Sequence, residues 1–475
     1  MRGARKLRGQ QEAVILSEAG HATGVPGDRS SSLGWLGDLR SRRTCFSGSS
    51  LPQQHRAPSI RRILGEWVGN HRTTLPAFGF FILLTLTACH NHQFPQYPPN
   101  YREFAYVTNG QSGTVTVLDV VNLRLDREIP VGLNPVAVAA SPTRNEVYVV
   151  NSGPETGEGS LSVINAENNT VAATIPLRRR PVAIDVDATG ALAYVANSGS
   201  NTVSVLELKT RREVAQIETG EEPSALRISP DGKTLIVANH RGNSVTIVDL
   251  ANVSTLSAPI DSVRRPSTRA VRATIDGCPG VSDAVILPDS SKAFVACSSG
   301  HQVMAIALAR QPDATKPDAP EVPKIDTLET LMDVGRGPVQ LALKPDGGEL
   351  FVSNSLSDTI SEVVTSKDDV GGAYAMGDDP VRGLVSSDNA MLYIANFRSQ
   401  WVTVYAPDDG RRIGSIHVGD GPSALALSSN GLFLFVVDTR SGDIAVARTD
   451  TLSLLTMLPA GRAPNAIAVK SFKLP

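Results

Sequence analysis

An all-β fold, a β-propeller of four-stranded blades with eight counted and seven as the alternative, is what this sequence predicts, on three observations. A strand ending in Tyr-Val-x-Asn or a near variant recurs: Tyr106-Val-Thr-Asn109, Tyr148-Val-Val-Asn151, Tyr194-Val-Ala-Asn197, Ile236-Val-Ala-Asn239, Phe294-Val-Ala-Cys297, Phe351-Val-Ser-Asn354, Tyr393-Ile-Ala-Asn396 and Phe435-Val-Val-Asp438. Successive phrases end 42, 46, 42, 58, 57, 42 and 42 residues apart. Units of that length with several short strands cannot bury their own faces and must stack on neighbours. The third observation is complementarity of the ends. The repeat opens on a second strand (104–109) with no first strand before it, and closes on a lone first strand (464–469). Pairing the two completes one blade and removes the open edges of the ring.

Before the repeat, residues 1–67 are rich in Arg, Ser and Gly and show no sustained period. They read as a disordered or wrongly assigned extension, with translation expected to start near Leu64 or Val68. Residues 68–88 read as a signal peptide. The apolar run from Leu75 to Ala88 spans roughly 21 Å as a helix, short of a hydrocarbon core of about 30 Å. His71 and Arg72 supply its weakly positive flank. Leu86-Thr-Ala-Cys89 resembles the bacterial lipobox, a resemblance that implies cleavage before Cys89 and acylation of that residue. Several acyl chains suffice for stable anchoring, so the expected partner is a membrane, reached through lipid. His90 follows the cysteine in place of the Asp that often retains such proteins in the inner membrane, which favours the outer membrane if the cell has one. Residues 89–100 form a Pro-rich tether; His90 and His92 lie on it and read as solvated.

The propeller domain is assigned to 101–472. Its most regular unit runs from Pro181 to Gly220. An alternating first strand (181–186) is followed by a turn at Asp187 to Gly190, a second strand ending at Asn197, a third from Thr202, and a fourth over 213–217. First strands begin near Pro135, Pro181, Pro223, Pro338, Pro380, Pro422 and Pro464, with a degenerate one at Val281. The two long spacings place insertions near 251–268 and 309–324, between the third and fourth strands of consecutive blades.

These phrases resemble the YVTN-repeat β-propeller family over about 101–470. The resemblance implies the fold but little about activity, because such propellers serve surface layers, bind nucleic acid or accompany redox systems. Many have seven blades.

Forty Gly and 31 Pro suit a fold of many turns. A net charge of −2 and an aromatic content of 5% argue against a nucleic-acid ligand, which needs a basic groove with stacking rings. In a four-stranded meander the 2–3 loops and the 4–1 linkers share one face, around the channel mouth. The candidate ligand-binding residues there are His240, Arg241, His301, Arg336, Arg398, Trp401 and Arg462. Concave polar-rimmed mouths are natural ligand sites. His240 and His301 come from neighbouring blades, yet no further ligands are identifiable, so no metal and no cofactor are assigned. The recurrent Asn reads as a structural cap for its turn. No nucleophile elbow or P-loop occurs, and no catalytic residue is assigned. Cys278 and Cys297 flank the first hairpin of the irregular blade; a disulfide is expected, with two buried thiols the alternative.

The leading expectation is a monomeric, non-enzymatic envelope scaffold for a protein or glycan ligand. A lactonase-like hydrolase with its site at the mouth is the alternative, and single-stranded nucleic-acid binding ranks third.

Overall fold

The computed structural model describes residues 95–253, 270–310 and 323–474. The extension, the signal segment, Cys89 and His90 therefore lie outside the described residues, as does most of each insertion. The described residues fold into eight four-stranded antiparallel sheets. The only helix among them is a single 3₁₀ turn, Leu250–Asn252. Blades are numbered here by their first strands: blade 1 spans 135–179, blade 2 181–218, blade 3 223–276, blade 4 281–333, blade 5 338–375, blade 6 380–417 and blade 7 422–459. Blade 8 is composite. Its first strand is the C-terminal Pro464–Lys473, and its others are Tyr101–Asn109, Thr114–Asp119 and Arg124–Pro130.

Within each blade the residue pattern follows from packing on both faces. The second and third strands are sandwiched between neighbouring blades and read as near-continuous apolar runs. In blade 2, Ala193 through Asn197 and Thr202 through Leu206 are all buried. The fourth strand meets water and alternates, as in Thr327–Asp333. First strands are half-buried, stand at the inner edge of each sheet and neighbour one another around the ring. A register shift marks the pairing of the third and fourth strands in every blade, for example between Val205 and Leu206. Such bulges increase twist, which propeller blades need in order to stack radially. The first turn is tight: Gly232 adopts φ +71° and donates to the Ser229 carbonyl at 2.8 Å.

The core is divided accordingly into eight apolar clusters, each shared by two adjacent blades. Tyr194, Val203 and Val205 of blade 2 pack on Leu226, Leu235 and Val237 of blade 3. The last cluster joins Phe435 and Val437 of blade 7 to Ala105, Val107, Ile467 and Val469 of blade 8. Closure therefore buries an interface as large in kind as any other. The C-terminal strand runs to Lys473 rather than Val469 and pairs with the full length of Tyr101–Asn109. Phe472 reaches the ring of Phe104, with centroids 6.2 Å apart.

The unit around Cys297 has four regular strands, so its divergent sequence leaves the blade intact. Of its insertion, the two ends meet, with the Arg310 N–H donating to the Pro323 carbonyl at 2.9 Å.

Candidate functional site

The face carrying the 2–3 loops is built by one device repeated eight times. The residue just before each first strand has positive φ: Asn134, Arg180, Glu222, Gly280, Gly337, Asp379, Gly421 and Ala463. That left-handed residue turns its carbonyl to the 2–3 loop of its own blade, which donates a backbone N–H to it at 2.8–3.1 Å, as from Ser198 to Arg180 and from Phe397 to Asp379. Loop and linker are thus knitted into one rigid lip around the mouth.

Four of the lips are also tied to the next blade in the same way. The Glu222 N–H donates to Asn201 Oδ1 at 2.9 Å, Gly280 N–H to Asn243 Oδ1 at 2.9 Å, and Asp379 N–H to Asp358 Oδ1 at 2.8 Å. His301 fills the same slot: its Nδ1 accepts from the Gly337 N–H at 3.2 Å, and its φ is +59°. His240 is engaged with the following blade as well, its Nδ1 lying 2.9 Å from the Val281 carbonyl. Both rings are therefore held by one nitrogen as inter-blade ties.

The arginines of the face are partly spoken for. Arg398 pairs with Asp379 at 3.2 Å. Arg336 donates to the Leu356 carbonyl and Arg462 to the Gln111 carbonyl. All three stay exposed, as does Arg241. Trp401 opens the third strand of blade 6 rather than lying within the loop. It packs edge-on to His417 with centroids 4.8 Å apart and remains 42% exposed. Leu133 and Leu356, also on this face, are exposed too. Beside them Arg440 lies over the Phe397 ring, 4.4 Å from its centroid.

The recurrent Asn is structural, but by a different mechanism from a backbone cap. In six blades its side-chain nitrogen donates to a Ser or Thr hydroxyl of the third strand at 2.8–3.0 Å: Thr116, Ser162, Ser204, Thr246, Ser361 and Thr403. Where the Asn is replaced, so is its partner. The hydroxyl partner lies seven residues after the Asn, and that position is Met304 after Cys297 and Ala445 after Asp438. Cys297 is joined to Cys278, with Cα atoms 4.9 Å apart. Asp438 accepts from the Gly419 N–H at 2.9 Å; burial first, and the Asp443 carboxylate beside it, push its carboxyl up to about 8.

A second group, not singled out by sequence reasoning, lies deeper. First strands are largely apolar, yet they carry charges: Asp185, Arg227, Asp283 and Arg382 in blades 2, 3, 4 and 6, and Lys470 in blade 8. Those charges inside apolar runs were the available signal. Asp185 accepts from the N–H groups of Ile228 and Val186 at 2.9 and 3.0 Å. Burial raises its carboxyl above the usual range. Asp283 accepts from the Leu341 N–H at 3.2 Å and pairs with Arg227 at 3.4 Å. Gln340 bridges similarly, its Oε1 taking the Gly383 N–H at 2.6 Å. Among the described residues no group of three or more His, Cys, Asp or Glu is placed to hold a metal ion.

Comparison with known proteins adds the following. A family model described as a lactonase, 7-bladed beta-propeller, matches residues 96–272. No curated protein matches the chain. The fold is similar to that of a dihydro-heme d1 dehydrogenase in complex with DHE, with a TM-score of 0.60 and 15% identity over 79% of this chain and 76% of that one. A protein from Lactobacillus plantarum gives 0.51 and 15% identity over 78% of this chain and 99% of that one. A putative 6-phosphogluconolactonase from Bacteroides fragilis gives 0.50 and 15% identity over 79% and 99%. At these identities the likeness is one of fold.

Proposed function

We propose that this chain is a lipid-anchored binding propeller of the cell envelope whose 2–3-loop face holds a protein or glycan ligand. The observation that carries this reading is the combination of a rigid lip with large exposed side chains upon it. Leu133, Leu356 and Trp401 are 66%, 57% and 42% exposed on that face, beside the guanidinium groups of Arg336, Arg398 and Arg462. A surface already ordered in the free protein loses little entropy on binding, and Trp and Arg dominate binding energies where a partner covers them. The histidines of the face, by contrast, are tied into the backbone by their Nδ1 atoms, which suits architecture better than proton transfer.

The test is capture from native envelope by the propeller domain, with the bound material identified. Replacing Arg398 and Trp401 together by Ala should weaken capture by at least about 2 kcal/mol if they form a hot spot while leaving the melting temperature nearly unchanged. Capture that survives the double substitution would refute this face. A lactonase-like hydrolase is the second reading, favoured by the family match over 96–272. Turnover of a lactone by the purified domain would favour it.

A further inference from the structure

We propose that the face bearing the 1–2 turns and 3–4 loops docks on the bilayer that holds the Cys89 acyl chains, leaving the 2–3-loop face turned away from it. This rests on the lipid-anchored reading above and adds an orientation to it. The described chain enters the propeller on that opposite face. Tyr97 stacks on Tyr101, with ring centroids 5.2 Å apart and planes within 7° of parallel. Asn430 Nδ2 donates to the Tyr97 hydroxyl at 3.5 Å, and Asn430 sits in the turn between the first and second strands of blade 7. The Tyr101 hydroxyl donates to Glu103 at 2.9 Å, and Glu103, itself fully buried, accepts the Ser429 N–H of the same turn. The C-terminal end closes over the entry, the Leu474 N–H donating to the Asn100 carbonyl at 3.0 Å. The entry point is therefore fixed on blades 7 and 8.

Two lengths then set the orientation. Cys89 precedes Pro95 by six residues, which span at most about 22 Å of extended chain. From Tyr101 the strand runs nine residues to Asn109, where the 2–3 loop of blade 8 begins. At about 3.3 Å per residue that strand is roughly 27 Å long, before the loop beyond it is counted. With the 2–3 loops on the bilayer, Pro95 would stand farther from the surface than six residues reach. With the opposite face on the bilayer, the same six residues suffice. The surroundings of the entry suit a lipid interface: tyrosine rings favour headgroup level, and exposed Arg102 and Lys473 attract anionic headgroups. The ligand of the 2–3-loop face then approaches from the aqueous side, which excludes the anchoring lipids as that ligand.

The test uses the lipidated chain in vesicles of phosphatidylethanolamine and phosphatidylglycerol carrying an energy-transfer acceptor on the headgroups. A donor dye is placed at one of two exposed positions in blade 8: Asn122→Cys, between the third and fourth strands, or Gln111→Cys, in the 2–3 loop. Transfer from Asn122→Cys should exceed that from Gln111→Cys several-fold. Equal transfer from both, or stronger transfer from Gln111→Cys, would overturn the orientation. Thr451→Cys and Leu356→Cys, in the corresponding loops of blades 7 and 5, repeat the comparison if either first variant does not fold. Palmitate incorporation at Cys89 is read beforehand. Its absence would sink the anchored reading and this one together, whereas an acylated chain with its 2–3 loops at the bilayer would sink the orientation alone.

Discussion

Cys278 and Cys297 occupy in blade 4 the two positions that glycine and asparagine occupy elsewhere in the ring. Gly132, Gly220, Gly335, Gly377, Gly419 and Gly461 lie so close to Asn151, Asn239, Asn354, Asn396, Asp438 and Asn109 that a Cβ on each glycine would stand 2.6–2.7 Å from that side chain. In five of these pairs, as in the cysteine pair, the partners are 19 residues apart; the sixth spans the ring closure. The disulfide is therefore a covalent form of a contact that other blades make by packing, and Met304 replaces the hydroxyl that the Asn would have needed. Blade 2 departs differently, with Arg178 in the glycine position paired to Glu213 at 3.1 Å.

Replacing both cysteines by Ser should cost about 3 kcal/mol, the loop-entropy value for a closed segment of this length. Introducing the repeat's own solution, Cys278→Gly with Cys297→Asn and Met304→Thr, should recover part of that loss. Denaturant titration of the three proteins decides it. A triple variant no more stable than the double-Ser protein would mean that the Gly–Asn–hydroxyl set is incidental.

The left-handed linker residues make a second prediction. A side chain in that conformation costs roughly 1–2 kcal/mol, part of which glycine returns as extra freedom of the unfolded chain. Ala463→Gly should therefore stabilise by up to about 1 kcal/mol. Gly337→Ala should destabilise, since Gly337 holds φ +65° and a Cβ there would lie 2.7 Å from Leu356 Cγ. Equal stability of both variants and the parent, measured by chemical denaturation, would show that the lip tolerates either hand.

Asp438 predicts a pH dependence whose sign is definite. Its carboxyl titrates at about 8 in the folded chain, raised by burial and then by Asp443, against about 4 when unfolded. Between those values the folded state holds a proton that the unfolded state has released. Stability from this group is therefore full below about 4 and falls as pH rises towards 8. Asp438→Asn should flatten that slope and stabilise the domain above pH 8 by more than about 1 kcal/mol. A parallel pH profile for parent and variant would remove Asp438 as the cause.

Ring closure can be tested by truncation after Gly461. This removes the strand Pro464–Lys473, with Ile467, Val469 and Phe472 from two interface clusters. Each such side chain contributes about 1.5–3 kcal/mol, so the loss is a large share of the 5–15 kcal/mol typical of a domain. The truncated chain should melt far lower and expose apolar surface. A melting temperature equal to the parent's would show that the seven remaining whole blades hold without the seam.

The blades themselves were legible in the chain order. Alternation, Pro at seven of the eight first strands, Gly or Asn at many turns and the mismatched ends are local or periodic signals, and they carry the eightfold count and its closure without any knowledge of contacts. The candidate face was legible too, because meander connectivity alone decides which loops share a side. What tertiary structure decided is which atoms on that face were already in use. His240 and His301 hold histidine chemistry in sequence, yet their Nδ1 atoms meet backbone groups of the next blade, 41 and 36 residues onward. The channel charges depend on tertiary structure still more. Arg227 and Asp283 come from blades 3 and 4 and meet at 3.4 Å, and no periodicity relates them. Their meeting depends on the twist of each blade and the closure of the ring, which set distances across the channel that no local stretch of chain encodes.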